Sequence, residues 1–269
     1  MDGFTTSEKR CMMNPSFIIS ELSVTGWRIG ENVRIVFWGS ERRSSVTSNV
    51  LILTGYLACQ KGYRIAILEL AEETYGIQSF FSKINEPYRR PYIHTLVRRQ
   101  LYYVSIEQWR EEKRETLPEL IKWLEYNMDM VCINIANRID SEARELMYSA
   151  NLVVVNLRQK IEAFEHYFSG YGNLSSRILF LIGNYYEDGE CDKVHLQKKY
   201  RIREDELVVI PNSPEYQMAC SRKKIERYLR MRGNQPMSAI TSQFIKMVAK
   251  TAEVVCEAVR KYSCSKILD

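Results

Sequence analysis

The stretch Val33–Leu70, VRIVFWGSERRSSVTSNVLILTGYLACQKGYRIAILEL, decides the fold. Its ends, VRIVFWG (Val33–Gly39) and RIAILEL (Arg64–Leu70), are apolar on both faces and rich in Val and Ile, as strands are inside a sheet that helices cover on each side. Ser48–Lys61 between them is long enough for a helical crossover, so the two read as parallel strands of one sheet. The alternation continues outward along the chain. Further strands are expected at Leu101–Val104, Met130–Ala136, Leu152–Leu157, Arg177–Ile182 and Leu207–Ile210. Further crossover helices are expected at Leu117–Tyr126, Ser141–Ala150, Lys160–Ser169 and Val194–Tyr200. Thr116 before Leu117-Pro118, and Asp140 before SEARELMYSA, supply N-caps. The pattern is that of an α/β fold: a doubly wound, mostly parallel sheet of seven or eight strands with helices on both faces and right-handed crossovers.

The rest of the chain fits one domain, residues 33–262, with an N-terminal extension over 1–32 and a tail over 263–269. FIISELSVTGWRIG in the extension carries an edge-strand pattern. Ser213–Arg232 reads as a loop and a basic helix, and Met237–Tyr262 as a long amphipathic helix with Ile240, Phe244, Val248, Ala252, Val255 and Val259 on one stripe. With 269 residues, 45% hydrophobic and 26% charged, the composition is that of a globular protein with ample core. A net charge of +5 permits nucleic acid or an anionic membrane as partners without demanding either. No apolar run is long enough to span a bilayer, and MDGFTTSEKRCMM carries no secretory signal. The seven cysteines (Cys11, Cys59, Cys132, Cys191, Cys220, Cys256 and Cys264) are scattered and never form a CxxC pair, which argues against a disulfide framework and a zinc site. His94, His166 and His195 lie far apart, so neither a metal nor a catalytic role is expected of them.

In an open α/β sheet, ligands collect beyond the carboxyl ends of the strands, and the turn after the first strand offers helix amides to an anion. That turn is FWGSERRSSVTSN, Phe37–Asn49. A first strand, a phosphate loop, a helix, Lys61-Gly62, and a strand ending in an acid resemble the ParA/MinD group of P-loop ATPases. Their loop, K-G-G-x-G-K-T-T, falls on Arg42–Asn49. DMVCINIAN (Asp129–Asn137) resembles the family's switch strand, and SANLVVVNLRQK the strand that follows. LIGNYY resembles the strand ending in an adenine-contacting Asn, here Asn184. VVIPNSPEYQMA, with Pro211, resembles the segment after it. The resemblance spans about Val33 to Tyr262.

The departures bear on chemistry. Arg43, Ser44 and Val46 stand where the family has glycine, and Thr47 where its phosphate-binding lysine stands. Asn134 replaces the strand acid that serves magnesium. Ser48 keeps a hydroxyl at the magnesium position, and Arg42 keeps a charge where the signature lysine reaches a partner subunit. Val46 in a left-handed conformation would be strained by roughly 1–2 kcal/mol. A lost lysine–phosphate contact forfeits on the order of 1.5–3 kcal/mol. The resemblance therefore implies a degenerate, hydrolysis-deficient protein with no catalytic residue and no resident metal. Arg42, Arg43, Ser44, Ser45, Thr47, Ser48, Asn184 and Pro211 remain as a reduced nucleotide or phosphate site. The alternative is an active ATPase taking ATP or ADP with Mg²⁺, with arginines replacing the loop lysine. The alternative without a ligand is a plain β–α turn capped by Thr47 or Ser48.

Two other features stand out. Glu69 closes its strand where the family has an acid, and reads as a cap for a neighbouring element or a contact to a magnesium-bound water. SRKKIERYLRMR brings Arg222, Lys223, Lys224, Arg227 and Arg230 onto one face of a helix, either a solvated surface or a patch for DNA or anionic lipid. YRRPY and VRRQ (88–100) form a second basic cluster. The stripe of the last helix reads as core packing rather than membrane targeting. The family implies a bacterial, cytoplasmic homodimer that positions a larger assembly through protein contacts. Its atypical members, the TadZ/CpaE proteins of Tad pili, have similar loops. A DNA-partitioning role and peripheral membrane attachment are further alternatives.

Overall fold

The computed structural model describes residues 33–70, 76–82, 87–97, 100–112, 115–172, 174–175, 177–189, 191–229 and 239–265. The expectations for residues 1–32, Arg98, Arg99, Arg230 and residues 266–269 lie outside them. In chain order the elements are β1 (Val33–Gly39), α1 (Val46–Lys61), β2 (Ile65–Glu69), β3 (Pro87–Tyr88), β4 (Arg90–Val97), β5 (Leu101–Val104), α2 (Ile106–Glu112), α3 (Leu117–Asn127) and β6 (Met130–Asn134). They continue with α4 (Ser141–Ser149), β7 (Leu152–Leu157), α5 (Ile161–Gly170), β8 (Ile178–Tyr185), α6 (Lys193–Tyr200), β9 (Leu207–Pro211), α7 (Pro214–Ser221), α8 (Ile225–Leu229) and α9 (Ala239–Ser265).

Among the described residues one sheet runs β3-β4-β5-β2-β6-β1-β7-β8-β9. Its body from β5 to β9 is parallel. Each of the seven strands expected between Val33 and Ile210 lies in that body, and β3 and β4 add an antiparallel edge. Alternate positions divide the core between the two faces. Val36, Trp38, Val131, Ile133, Val153 and Val155 pack with Leu120 and Leu124 of α3, Met147 of α4 and Phe164 of α5. On the other face α1 lies on β1, β2 and β6, and α9 on β7, β9 and α1. Phe244, Val248, Ala252, Val255 and Val259 of α9 are buried, so its stripe is core. No helix of the described residues is long and apolar enough to cross a membrane.

Local chemistry explains the boundaries. The Thr116 N–H and hydroxyl both donate to Glu119 Oε2 at the start of α3 (2.7 and 2.8 Å), and Asp140 Oδ1 accepts from Ala143 N (3.0 Å) at the start of α4. Arg34 on β1 gathers the far ends of α3 and α4. Its guanidinium donates to Glu125 (2.8 Å) and to the Ser149 hydroxyl (2.8 Å).

The basic helix expected over 222–232 is not a single element. Lys223 is left-handed (φ 55°) and breaks the chain between α7 and α8, and α8 spans only Ile225–Leu229. The reason is packing: Ile225, Tyr228 and Leu229 are buried, and Leu229 fits so closely against Gly55 of α1 that a β-carbon there would lie 2.3 Å from it.

Candidate functional site

β6 lies on one side of β1 and β7 on the other, so the strand order reverses at β1 and the loop 40–45 opens over that crevice. The left-handed residues are Arg43 (φ 64°) and Ser45 (φ 61°), not Val46. Val46 is the first helical residue of α1 and is buried, so the expected strain falls on its neighbours instead. Ser45, rather than Thr47 or Ser48, is the N-cap, and its side chain makes no capping bond. The main-chain N–H groups of Ser45 to Ser48 meet no acceptor among the described residues. They are the donors that a helix start leaves over for an anion.

Beneath the loop lies a polar network. Asn134 is fully buried, and its Nδ2 donates to Thr47 Oγ1 (3.1 Å) and to Glu69 Oε1 (3.1 Å) while its Oδ1 accepts from Ala136 N (3.0 Å). Glu69, also buried, accepts from Ile77 N through Oε2 (2.7 Å), so it does cap the 3-10 turn Ile77–Phe80. One amide thus ties α1, β6, β2 and that turn together. On the opposite flank Asn49 Nδ2 donates to Asn156 Oδ1 (2.8 Å), and Asn156 Nδ2 to the Trp38 carbonyl (3.1 Å). Asn49 and Asn156 escaped the sequence reading. Their signals were a polar residue directly before the apolar run VLILTGYLA and a single polar residue inside LVVVNL.

The serine side chains of the loop and the helix start are committed inward. The Ser48 hydroxyl donates to the Ser45 carbonyl (3.0 Å), and Ser44 to the Glu41 carbonyl (3.0 Å). Asn184 is left-handed (φ 52°), and its Nδ2 donates to Ser45 Oγ (3.0 Å). Gln217 of α7, which carries no signal in the sequence, donates to Asn212 Oδ1 (2.6 Å) and Asn184 Oδ1 (3.4 Å), bridging the ends of β8 and β9 beside Pro211. The Tyr216 hydroxyl donates to the Ser48 carbonyl (2.8 Å), and burial holds it well above the ordinary phenol range, so it remains a donor.

Two cavities flank the loop. One of about 220 Å³ lies between residues 41–48, Phe80 and Ala136-Asn137. The other, about 620 Å³, opens between the loop and the ends of β7 and β8. Arg42 and Arg43 are exposed at their rims. The structure thus brings together Arg42 to Ser48, Asn134, Glu69 and Asn184.

No protein-family model matches the sequence. No curated protein matches it either. Solved structures do. The ParA family ATPase of Chlorobium tepidum superposes with a TM-score of 0.61 at 9% identity, over 82% of this chain and 98% of that one. The cell division ATPase MinD of Pyrococcus furiosus gives 0.59 at 14% identity, over 83% and 98%. MinD of Pyrococcus horikoshii, complexed with Mg-ADP, gives 0.57 at 16% identity, over 84% and 98%. The chain has the ParA/MinD fold.

Within the ParA/MinD fold, a fit to Mg-nucleotide is met in part. The Ser45–Ser48 amides suit a phosphate. The magnesium side does not fit: Ser48 turns its hydroxyl into the helix, Asn134 offers a neutral amide to a hard cation, and Glu69 is engaged in capping. The other sequence candidates fall elsewhere on the ParA/MinD fold. Arg222, Lys223 and Lys224 are exposed around the α7–α8 turn, and the Arg227 side chain lies outside the description. Arg90 of the second basic cluster is structural, stacked 4.2 Å over Trp123 and ion-paired with Glu115.

Proposed function

We propose that this chain is a hydrolysis-deficient ParA/MinD-like positioning factor, which places a larger assembly through protein contacts. The supporting observation is the Asn134 amide bridging Thr47 and Glu69. A P-loop ATPase needs charge at these places, a cation for the phosphates and an acid for the metal shell. Here both charges are missing together, and the two neutral replacements hydrogen-bond to each other. A buried polar pair satisfied in this way is stable without ligand, whereas a lone change at either position would leave a charge or a donor unpaired. The corner holds itself closed with side chains of its own. The free Ser45–Ser48 amides leave room for a bound phosphate group without turnover.

A homodimer contacting through the loop face, with Arg42 and Arg43 near the contact, completes this reading. A fluorescent fusion of the full chain tests it in cells, beside a Ser48→Ala variant lacking the last hydroxyl suited to magnesium. Unchanged focal localisation and unchanged partner capture by the variant support a role independent of hydrolysis. Dispersal of the variant with wild-type abundance contradicts it and favours a nucleotide-driven switch.

A further inference from the structure

α6 takes no part in the candidate site, yet its surroundings are strongly basic. The stretch DKVHLQKKYRIR (Asp192–Arg203) carries five lysines and arginines against one acid. That acid is spent as the N-cap, accepting from His195 N (2.7 Å). Lys199 is paired with Glu165 of α5 (3.1 Å), and Arg203 with Asp205 and Glu206. Lys193, Lys198 and Arg201 make no ion pair among the described residues, and neither does Lys250, which comes to the same edge from α9 on the other face of β9. Burial and then the Lys250 charge hold the Lys193 amine below the ordinary lysine range, and Glu204 offsets only part of this without forming an ion pair. Four cations thus gather at the β9 edge of the sheet with no carboxylate bound to any of them.

Apolar groups interrupt this charge. Leu196 is buried and Tyr200 stacks on Phe164, so Val194, Lys198 and Arg201, four and three residues apart, share the solvent side of the helix. Val194 is 55% exposed, and Phe168 of α5 is exposed where it stacks on Tyr200 (ring centroids 5.2 Å). Duplex DNA offers phosphates and keeps its base faces inside, which would leave Val194 and Phe168 uncovered. A lipid surface needs apolar side chains that can leave the protein, and Phe168 is held down by Tyr200 and Phe180. An acidic amphipathic helix sets carboxylates beside apolar side chains and covers both kinds of group at once.

We propose that the outer face of α6, with Lys250 at its flank, docks an acidic amphipathic segment of a partner protein. The proposal names the partner's chemistry for the positioning role and takes from that role only that the contact is with protein.

Fluorescence anisotropy of the full chain with a labelled amphipathic peptide built of Glu, Leu and Ala tests it. Companion peptides with Gln for Glu and with Ser for Leu, labelled duplex DNA and phosphatidylglycerol vesicles are the other probes. The Glu–Leu peptide is expected to bind more tightly than either companion. Lys198→Ala and Arg201→Ala should each weaken it about two- to fivefold, the range for an exposed charge contact, and Lys198→Glu with Arg201→Glu by at least about tenfold. Lys122→Glu, exposed on α3, should change nothing. No binding of the Glu–Leu peptide, equal binding of the Ser companion, or indifference to the double reversal overturns the proposal. So does DNA or vesicle binding that is tighter than peptide binding and is lost in the double reversal. A failed peptide titration leaves the localisation of Ser48→Ala untouched, and dispersal of Ser48→Ala leaves the peptide result standing, so the two failures are distinguishable.

Discussion

Replacing Asn134 by aspartate tests the neutral corner at its most sensitive point. The change converts a donor into an acceptor at a fully buried position, removing the 3.1 Å bond to Glu69 Oε1 and forcing the Thr47 hydroxyl, also at 3.1 Å, to turn from acceptor to donor. Leaving a buried acceptor unsatisfied costs about 1–3 kcal/mol. The introduced carboxylate also faces that of Glu69, and two like charges ~4 Å apart repel by about 4 kcal/mol at an effective dielectric constant of 20. One of the two carboxyls can take up a proton instead, which caps the sum, so Asn134→Asp is expected to destabilise by about 3–5 kcal/mol at pH 7.5. The sign of the pH dependence follows. The crowded pair has a raised pKa in the folded state, so the native form binds more protons than the unfolded one and the variant loses stability as pH rises. The gap to the parent therefore narrows toward pH 5. Adding Thr47→Lys supplies a cation to the pair and is expected to recover at least ~2 kcal/mol at pH 7.5, a coupling typical of buried charge partners. Urea unfolding followed by tryptophan fluorescence reads both effects, because Trp38 of β1 is buried. An Asn134→Asp protein as stable as the parent, or one indifferent to Thr47→Lys, refutes the reasoning.

The remaining predictions concern the frame. Gly55→Ala places a β-carbon 2.3 Å from the Leu229 side chain, and overpacking of this kind costs about 1–3 kcal/mol. Combining it with Leu229→Ala should give less than the sum of the two single losses in the same urea assay. Asp140→Ala should cost about 1 kcal/mol as a lost N-cap. The Asp140 carboxyl is held below its ordinary range, first by Arg138 and then by the Ala143 amide. Its contribution is therefore present above the unfolded carboxyl pKa and is lost as pH falls through the lowered folded one. The parent and Asp140→Ala melting curves should converge in acid, and a gap that widens there contradicts the assignment.

The fold was legible because its signal is repetition. The strands of the parallel body are short apolar runs, several of them rich in Val and Ile as suits a sheet covered on both faces, and Thr116 and Asp140 mark helix starts by local chemistry alone. β3 and β4 were hidden because YRRPYIHTLV reads as a basic cluster, its apolar alternation masked by arginines of which Arg90 is spent on Glu115 and Trp123. The α7–α8 break was hidden for a different reason. Periodicity over SRKKIERYLRMR suits one helix, whereas the break at Lys223 goes with contacts far away in sequence, the Phe81–Lys224 bridge and the seat of Leu229 against Gly55.

In the site, residue identities could be placed by resemblance, but their bonds could not. The resemblance implies that two charges are absent at Thr47 and Asn134; that the two residues meet each other is a fact of tertiary geometry. The same holds for Gln217, an ordinary exposed helix residue until α7 brings it across to Asn184.

The central claim, that this corner has exchanged ATP chemistry for self-contained hydrogen bonding, is tested most directly by phosphate release from Mg²⁺-ATP in the presence of the purified full chain. The account predicts release indistinguishable from a protein-free blank, for the parent and Ser48→Ala alike. Sustained release that Ser48→Ala abolishes would contradict it.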